Sequence, residues 1–195
     1  MSDAQPDPDP KRAAILAAAI RGFAAYGFRR TSMEDISRGA GMSRPALYLH
    51  FDNKEAILRA LVAEYYADVA RDVAAALAQP GAPEAVLTRA FAAQAGEMAE
   101  LLIASPHGEE LLSTSHALSA DLSAEGEARL ARLYAGWLAR GVTSGALRLA
   151  APPEMVADAM LAALKGAKVP PFSAYSARLK VLAQMFGRGM TATRG

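Results

Sequence analysis

Apolar positions in the first third of the chain recur at three- and four-residue spacing. Leu16, Ala19, Ile20 and Phe23 form one such face, with Lys11, Arg12 and Arg21 elsewhere on the surface. This predicts a helix from about Pro10 to Tyr26, stopped by Gly27. Thr31 and Glu34 then stand in capping-box spacing, which predicts a second helix from Thr31 through Met33, Ile36 and Ser37 to Ala40. Gly41 ends it with an expected positive φ. Ser43 is the next N-cap candidate and Pro45 lies in a first turn, so a short helix over Arg44–His50 follows. Two short helices around a tight glycine turn make a helix-turn-helix pattern. Met33, Ile36, Ala40, Met42 and Leu47 would pack it against the first helix. Asn53 can cap a long helix from Lys54 to about Ala78.

Beyond Gln79-Pro80-Gly81 the same periodicity continues. Helices are expected at Pro83 to about Ala104, Glu109 to about Leu118, and Ala124 to about Ser144 with Ser123 as cap. Two more follow, from Pro153 to about Lys168 and from Ser173 to about Gly189. Breaks fall at Ser105-Pro106-His107-Gly108, at Pro152-Pro153 and at Val169-Pro170-Pro171. The expectation is an all-α chain of about nine helices. A tail over 1–10 would precede a helix-turn-helix head over 11–57 and a helical-bundle body over 58–195.

Composition narrows this picture. Hydrophobic residues make up 52% of the 195, enough for a real core. There is no cysteine, so a disulfide framework is excluded and a reducing, cytoplasmic setting is expected. No apolar run reaches the roughly 20 residues of a membrane span. The acidic, proline-rich start lacks the features of a signal peptide and reads as a disordered tail. Lys11–Arg59 holds nine Lys and Arg against four Asp and Glu, whereas the whole chain carries only +1. A basic segment on a near-neutral body points to a polyanion partner for that segment, with a solvated charged face the other reading of charge alone.

The strings Phe23-Ala24-Ala25-Tyr26-Gly27-Phe28, Thr31-Ser32-Met33-Glu34-Asp35-Ile36-Ser37 and Ala40-Gly41-Met42-Ser43 carry more specific information. With Leu47-Tyr48-Leu49-His50-Phe51-Asp52-Asn53-Lys54-Glu55 they resemble the DNA-binding head of the TetR family of transcriptional regulators. The resemblance covers residues 11–64. It implies that Arg44–His50 is the recognition helix in the major groove, with Arg44 on a guanine edge. Ser43, Pro45 and Ala46 would share the exposed end, the last two against a thymine methyl. Tyr48, His50 and Lys54 match phosphate-contacting positions. Thr31 and Ser32 would offer a hydroxyl and N–H groups to another phosphate. Leu49 departs from the aromatic or polar residue common at its position.

The resemblance also implies a homodimer through the helices at 153–168 and 173–189. Met155, Ala159, Ala162 and Ala163 would meet a stripe of Leu179, Leu182, Ala183 and Phe186. An ordinary intramolecular core is equally compatible with these residues. An effector pocket for a hydrophobic or aromatic small molecule is implied in the body, with Phe91, Met98, Leu102, His107, His116, Tyr134 and Trp137 as candidates. The expected behaviour is a dimeric regulator, a repressor by default, reading a pseudo-palindromic operator and released by its effector. The alternative is an effector-independent architectural DNA-binding protein with the same head. An enzyme is not expected. The sequence has no Gly-x-Ser-x-Gly elbow, phosphate-binding glycine loop, HExxH or cysteine, and its three histidines lie too far apart for a metal-ligand spacing, so neither metal nor cofactor is expected.

Overall fold

The computed structural model describes residues 9–190, except for the side chain of residue 97. Nine helices are formed among the described residues: α1 (Pro10–Tyr26), α2 (Met33–Gly39), α3 (Arg44–Tyr48), α4 (Lys54–Ala78), α5 (Pro83–Ala104), α6 (Gly108–Leu118), α7 (Ala120–Thr143), α8 (Pro153–Ala167) and α9 (Phe172–Gly189). The expected tail lies, up to residue 8, outside the described residues. Asp9 is the N-cap of α1 and accepts from the Lys11 N–H, while Pro10 takes the first helical position, where a missing N–H costs nothing.

The chain divides into two compact units. The first comprises the described residues up to Ala63 together with Ser105–Ala120; the second comprises Glu64–Ala104 and the described residues from Asp121 onward. The division falls within α4. It assigns α6, read from sequence as part of the body, to the same unit as the helix-turn-helix.

In the first unit Leu16, Ala19, Phe23, Ile36 and Leu47 are buried as expected, whereas Ile20, Met33, Ala40 and Met42 are half-buried. Ile15, Leu16, Ala19 and Phe23 of α1, Ile36 of α2, Leu47 of α3, and Ile57 and Leu58 of α4 are all at most 3% exposed. Phe51 follows α3 into the interior, and Gly108 and Leu111 are the buried residues of α6. Gly41 carries the positive φ (68°) expected of the turn.

One local expectation is displaced by a residue. The cap of α2 is Ser32, not Thr31, and the capping box is Ser32 with Asp35. Thr31 is withdrawn from capping because it is buried, and its hydroxyl donates to the Gly27 carbonyl at 2.8 Å. At the next two starts the caps are as expected. Ser43 accepts from the Ala46 N–H, and Asn53 accepts from the Ala56 N–H at 2.7 Å. Ser123 does not cap α7, which already begins at Ala120.

In the second unit a single apolar cluster runs through α4, α5, α7, α8 and α9. Val73, Leu87, Phe91, Tyr134, Leu138, Met160 and Ala183 lie at its centre. The principal helix–helix packing is α5 on α9. Within α5 the backbone is not helical throughout. Gly96 has φ 58° and ψ 176°, a conformation suited to glycine, so the helix is broken there. The unbroken apolar periodicity of Pro83–Ala104 did not announce this break.

Candidate nucleic-acid interface

The local chemistry of residues 41–54 fixes one exposed surface. Gly41 turns the chain, Ser43 starts α3, and Leu47 buries fully, so the other side of this five-residue helix faces solvent. Ser43, Arg44, Pro45, Tyr48 and Leu49 are exposed, and Ala46 is half-buried. Arg44 Nη2 donates to the Tyr48 hydroxyl at 3.3 Å, and its guanidinium carbon lies 5.6 Å from the Tyr48 ring centroid. The two exposed side chains thus meet on the surface of α3, and a guanidinium carries five N–H donors in all. Leu49 is 86% exposed. It offers methyl groups and no donor, so its only means of contact is apolar.

The remaining expected contacts are distributed differently. Ser32 gives both its hydroxyl (2.6 Å) and its N–H (3.0 Å) to the Asp35 carboxylate. The hydroxyl hydrogen bond, followed by the backbone one, lowers the Asp35 pKa below its usual value. The buried Thr31 hydroxyl is engaged with Gly27, as described. The Thr31 and Ser32 hydroxyls thus both donate within the protein. Lys54 does so as well. Its Nζ donates to the carbonyls of Phe28 (2.8 Å), Arg29 (3.2 Å) and Thr31 (3.2 Å), and sits 4.6 Å from the Phe28 ring centroid. An ammonium has three protons, and here all three are used within the protein. His50 is partly buried, with Nδ1 3.3 Å from an Asp9 carboxylate oxygen, so it links the start of α1 to the end of α3.

The first unit exposes further basic groups. Lys11, Arg21, Arg29, Arg30 and Arg38 are exposed, and Arg38 pairs with Glu34 and Asp35 on α2. No group of three or more His, Asp or Glu side chains capable of holding a metal occurs among the described residues. No described helix is long and apolar enough to cross a membrane.

The seven residues expected to line an effector pocket are distributed over both units. Phe91 and Tyr134 are fully buried with ring centroids 5.9 Å apart, and the Tyr134 hydroxyl donates to Gln94 Oε1 at 2.9 Å. They are packed core. Trp137 lies partly buried against the same cluster, and Met98 and Leu102 are half-buried. His107 and His116 belong to the other unit, where His107 lies beside Glu110 and His116 is exposed. The second unit does contain a cavity of about 320 Å³ between α5 and α9, beside the break at Gly96. Its walls are Ala92, Ala95, Phe172 and Leu179, with Glu100 and Lys180 as charged groups. None of the seven lines it. The signal for it was Gly96 itself, a glycine inside an apolar helical run.

Residues 15–61 match the family described as bacterial regulatory proteins, tetR family. The HTH-type transcriptional regulator EthR of Mycolicibacterium smegmatis is 44% identical over 59 residues, 30% of this chain and 27% of that protein. TtgR of Pseudomonas putida is 45% identical over 51 residues, 26% and 24% of the two chains. This chain therefore aligns with only about a quarter of the length of these curated relatives. Among solved structures, a regulator of the same family from Mesorhizobium loti superposes with a TM-score of 0.72 at 18% identity, covering 93% of this chain and 97% of that one. SmeT, the repressor of the Stenotrophomonas maltophilia multidrug efflux pump SmeDEF, superposes at 0.67 with 20% identity, covering 95% and 94%. At these identities the superpositions establish the fold.

Proposed function

We propose that this chain, whose residues 15–61 match the tetR family of bacterial regulatory proteins, is a dimeric transcriptional regulator that reads a pseudo-palindromic operator and is released by a small apolar effector. The observation that carries this reading is the exposed face of α3. It presents an exposed arginine, small groups able to meet a thymine methyl, and a tyrosine hydroxyl on the basic segment Lys11–Arg59. Arg44 makes a bidentate contact to guanine, Pro45 and Ala46 touch methyl groups, and Tyr48 reaches a phosphate. Two copies of α3, roughly 34–36 Å apart, enter successive major grooves.

Dimerisation through α8 and α9 is supported by what these helices leave uncovered. Met155, Ala159, Ala162 and Gly166 form an exposed stripe along α8, and Ala177, Val181 and Met185 form one along α9. Ala163 is half-buried beside the first stripe. The α9 stripe differs from the one expected. Leu179 and Ala183 are buried in the chain's own core, and Leu182 and Phe186 pack against it, so the roughly opposite face is the exposed one.

The α5–α9 cavity is the place for an effector with an apolar body. SmeT, which shares the fold, has been solved in complex with triclosan. An effector coupling of roughly 1–3 kcal/mol gives a 5- to 150-fold change in operator affinity. The close packing of Phe91 on Tyr134 favours one other reading, an architectural DNA-binding protein without an effector.

The test is a titration of the full chain against a fluorescent duplex from its own upstream region, at two salt concentrations and with competitor DNA. Competitor-resistant, salt-dependent binding of two protomers, weakened by triclosan, is the expected result. Specific binding indifferent to a panel of apolar ligands assigns the architectural role, and the absence of specific binding to any duplex removes the regulator reading.

A further inference from the structure

The turn between α1 and α2, residues 27–31, is gripped by side chains from two distant elements. Lys54 of α4 holds its carbonyls, as described. From α6, Glu110 Oε1 accepts the Arg29 N–H at 3.2 Å. Just before α6, the Ser105 hydroxyl donates to the Ala24 carbonyl at 2.7 Å, in the last turn of α1. Arg29 is therefore held at both ends of its peptide geometry, its N–H by a carboxylate and its C=O by an ammonium. Gly27 lies against side chains of this segment. Its φ is +86°, and a Cβ there would stand 2.6 Å from Glu110 Oε2 and 3.2 Å from His107 Nδ1. Three residues after Arg29 the chain reaches Ser32, the cap from which the helix-turn-helix begins.

We infer that Lys54 and Glu110 are positioning residues for DNA recognition. They clamp the α1–α2 turn, one through an N–H and the other through carbonyls, and fix the direction in which α2, and α3 after it, leave α1. Lys54 acts through carbonyl oxygens and not through a phosphate. Glu110 places α6 in direct control of the turn. Both roles rest on the DNA-reading function proposed above.

Charge and clamp predict opposite signs for Glu110, which makes the test sharp. Removing a carboxylate from a DNA-binding unit favours DNA electrostatically. The clamp requires the reverse: Glu110→Ala weakens the duplex used above several-fold. Glu110→Gln keeps an acceptor oxygen and binds at least as tightly as the parent chain. Lys54→Met lowers affinity while leaving the slope of log K against log salt unchanged, because no phosphate contact is lost. In the protein without DNA, the Arg29 amide exchanges roughly fivefold faster in Glu110→Ala, the worth of one net hydrogen bond.

Tighter or unchanged binding by Glu110→Ala overturns the inference. So does a fall of about one in the salt slope for Lys54→Met, the signature of a phosphate contact. Exchange at Arg29 is read without DNA, so it decides the clamp even for a chain that binds no duplex. Should Lys54→Met fail to fold, the two Glu110 variants carry the test alone.

Discussion

Arg44 and Ser32 stand for two kinds of residue in the head, one turned to solvent and one turned to its own backbone. Arg44 is exposed and hydrogen-bonds the Tyr48 hydroxyl on the surface, so Arg44→Ala is expected to leave the fold intact. It is expected to weaken operator binding by about 1–3 kcal/mol and to relax preference at one base pair per half-site, as read by titration against a set of singly substituted duplexes. Ser32 exchanges hydrogen bonds with Asp35 in a closed box. Ser32→Ala is expected to cost about 0.5–2 kcal/mol in chemical denaturation. The exposed surface of α3 was legible in the sequence because Gly41, Ser43 and Pro45 are punctuation whose meaning is local. The roles of Thr31 and Lys54 were not. A hydroxyl that caps and one that turns back to a preceding carbonyl look alike in sequence. A lysine at a helix start reveals nothing of three carbonyls 23 to 26 residues earlier.

Elements were easier to read than their faces. The breaks at prolines and glycines gave the order of the nine helices, since each breaker acts on its own neighbours. The exposed stripe of α9 was misplaced because Leu179 and Ala183 are as apolar as Val181 and Met185, and only packing against α5 decides which pair is covered. That assignment has a direct consequence. Val181 and Met185 are 52% and 66% exposed, so either substitution to glutamate leaves the chain's own core untouched. In a dimer the same carboxylate is buried without a counter-ion, at a cost of several kcal/mol per ion. Val181→Glu and Met185→Glu are expected to sediment as folded monomers at micromolar concentration, with far-ultraviolet circular dichroism unchanged.

For the molecule as a whole, alkali is the informative stress. Burial raises the pKa values of Tyr65, Tyr66, Tyr134 and Tyr175 above 10.0 in the second unit. The unfolded chain releases these protons near pH 10 and the folded chain holds them, so unfolding is favoured as pH rises. Their stabilising contribution is complete below pH 10 and is eroded as pH climbs from there toward the raised folded values. Lys168 works in the opposite sense, since burial lowers its pKa, but it is one group against four. Thermal melts at stepped pH are expected to show a falling midpoint above pH 10, with tyrosinate absorbance rising at the unfolding transition. A flat profile would mean that the four hydroxyls are wet. None of this was visible in the sequence, where six tyrosines look equivalent until the fold separates them.

The stripes on α8 and α9 also have a meaning in redox chemistry. Of the described methionines, Met155 and Met185 are the exposed ones, at 62% and 66%. A thioether open to peroxide becomes a sulfoxide, and an apolar contact surface becomes polar. Pairing of two chains over these residues would shield both sulfurs. Oxidant would then attack the separated protomer first and hinder its return to the dimer, so that dilution and oxidation act on the chain in the same direction.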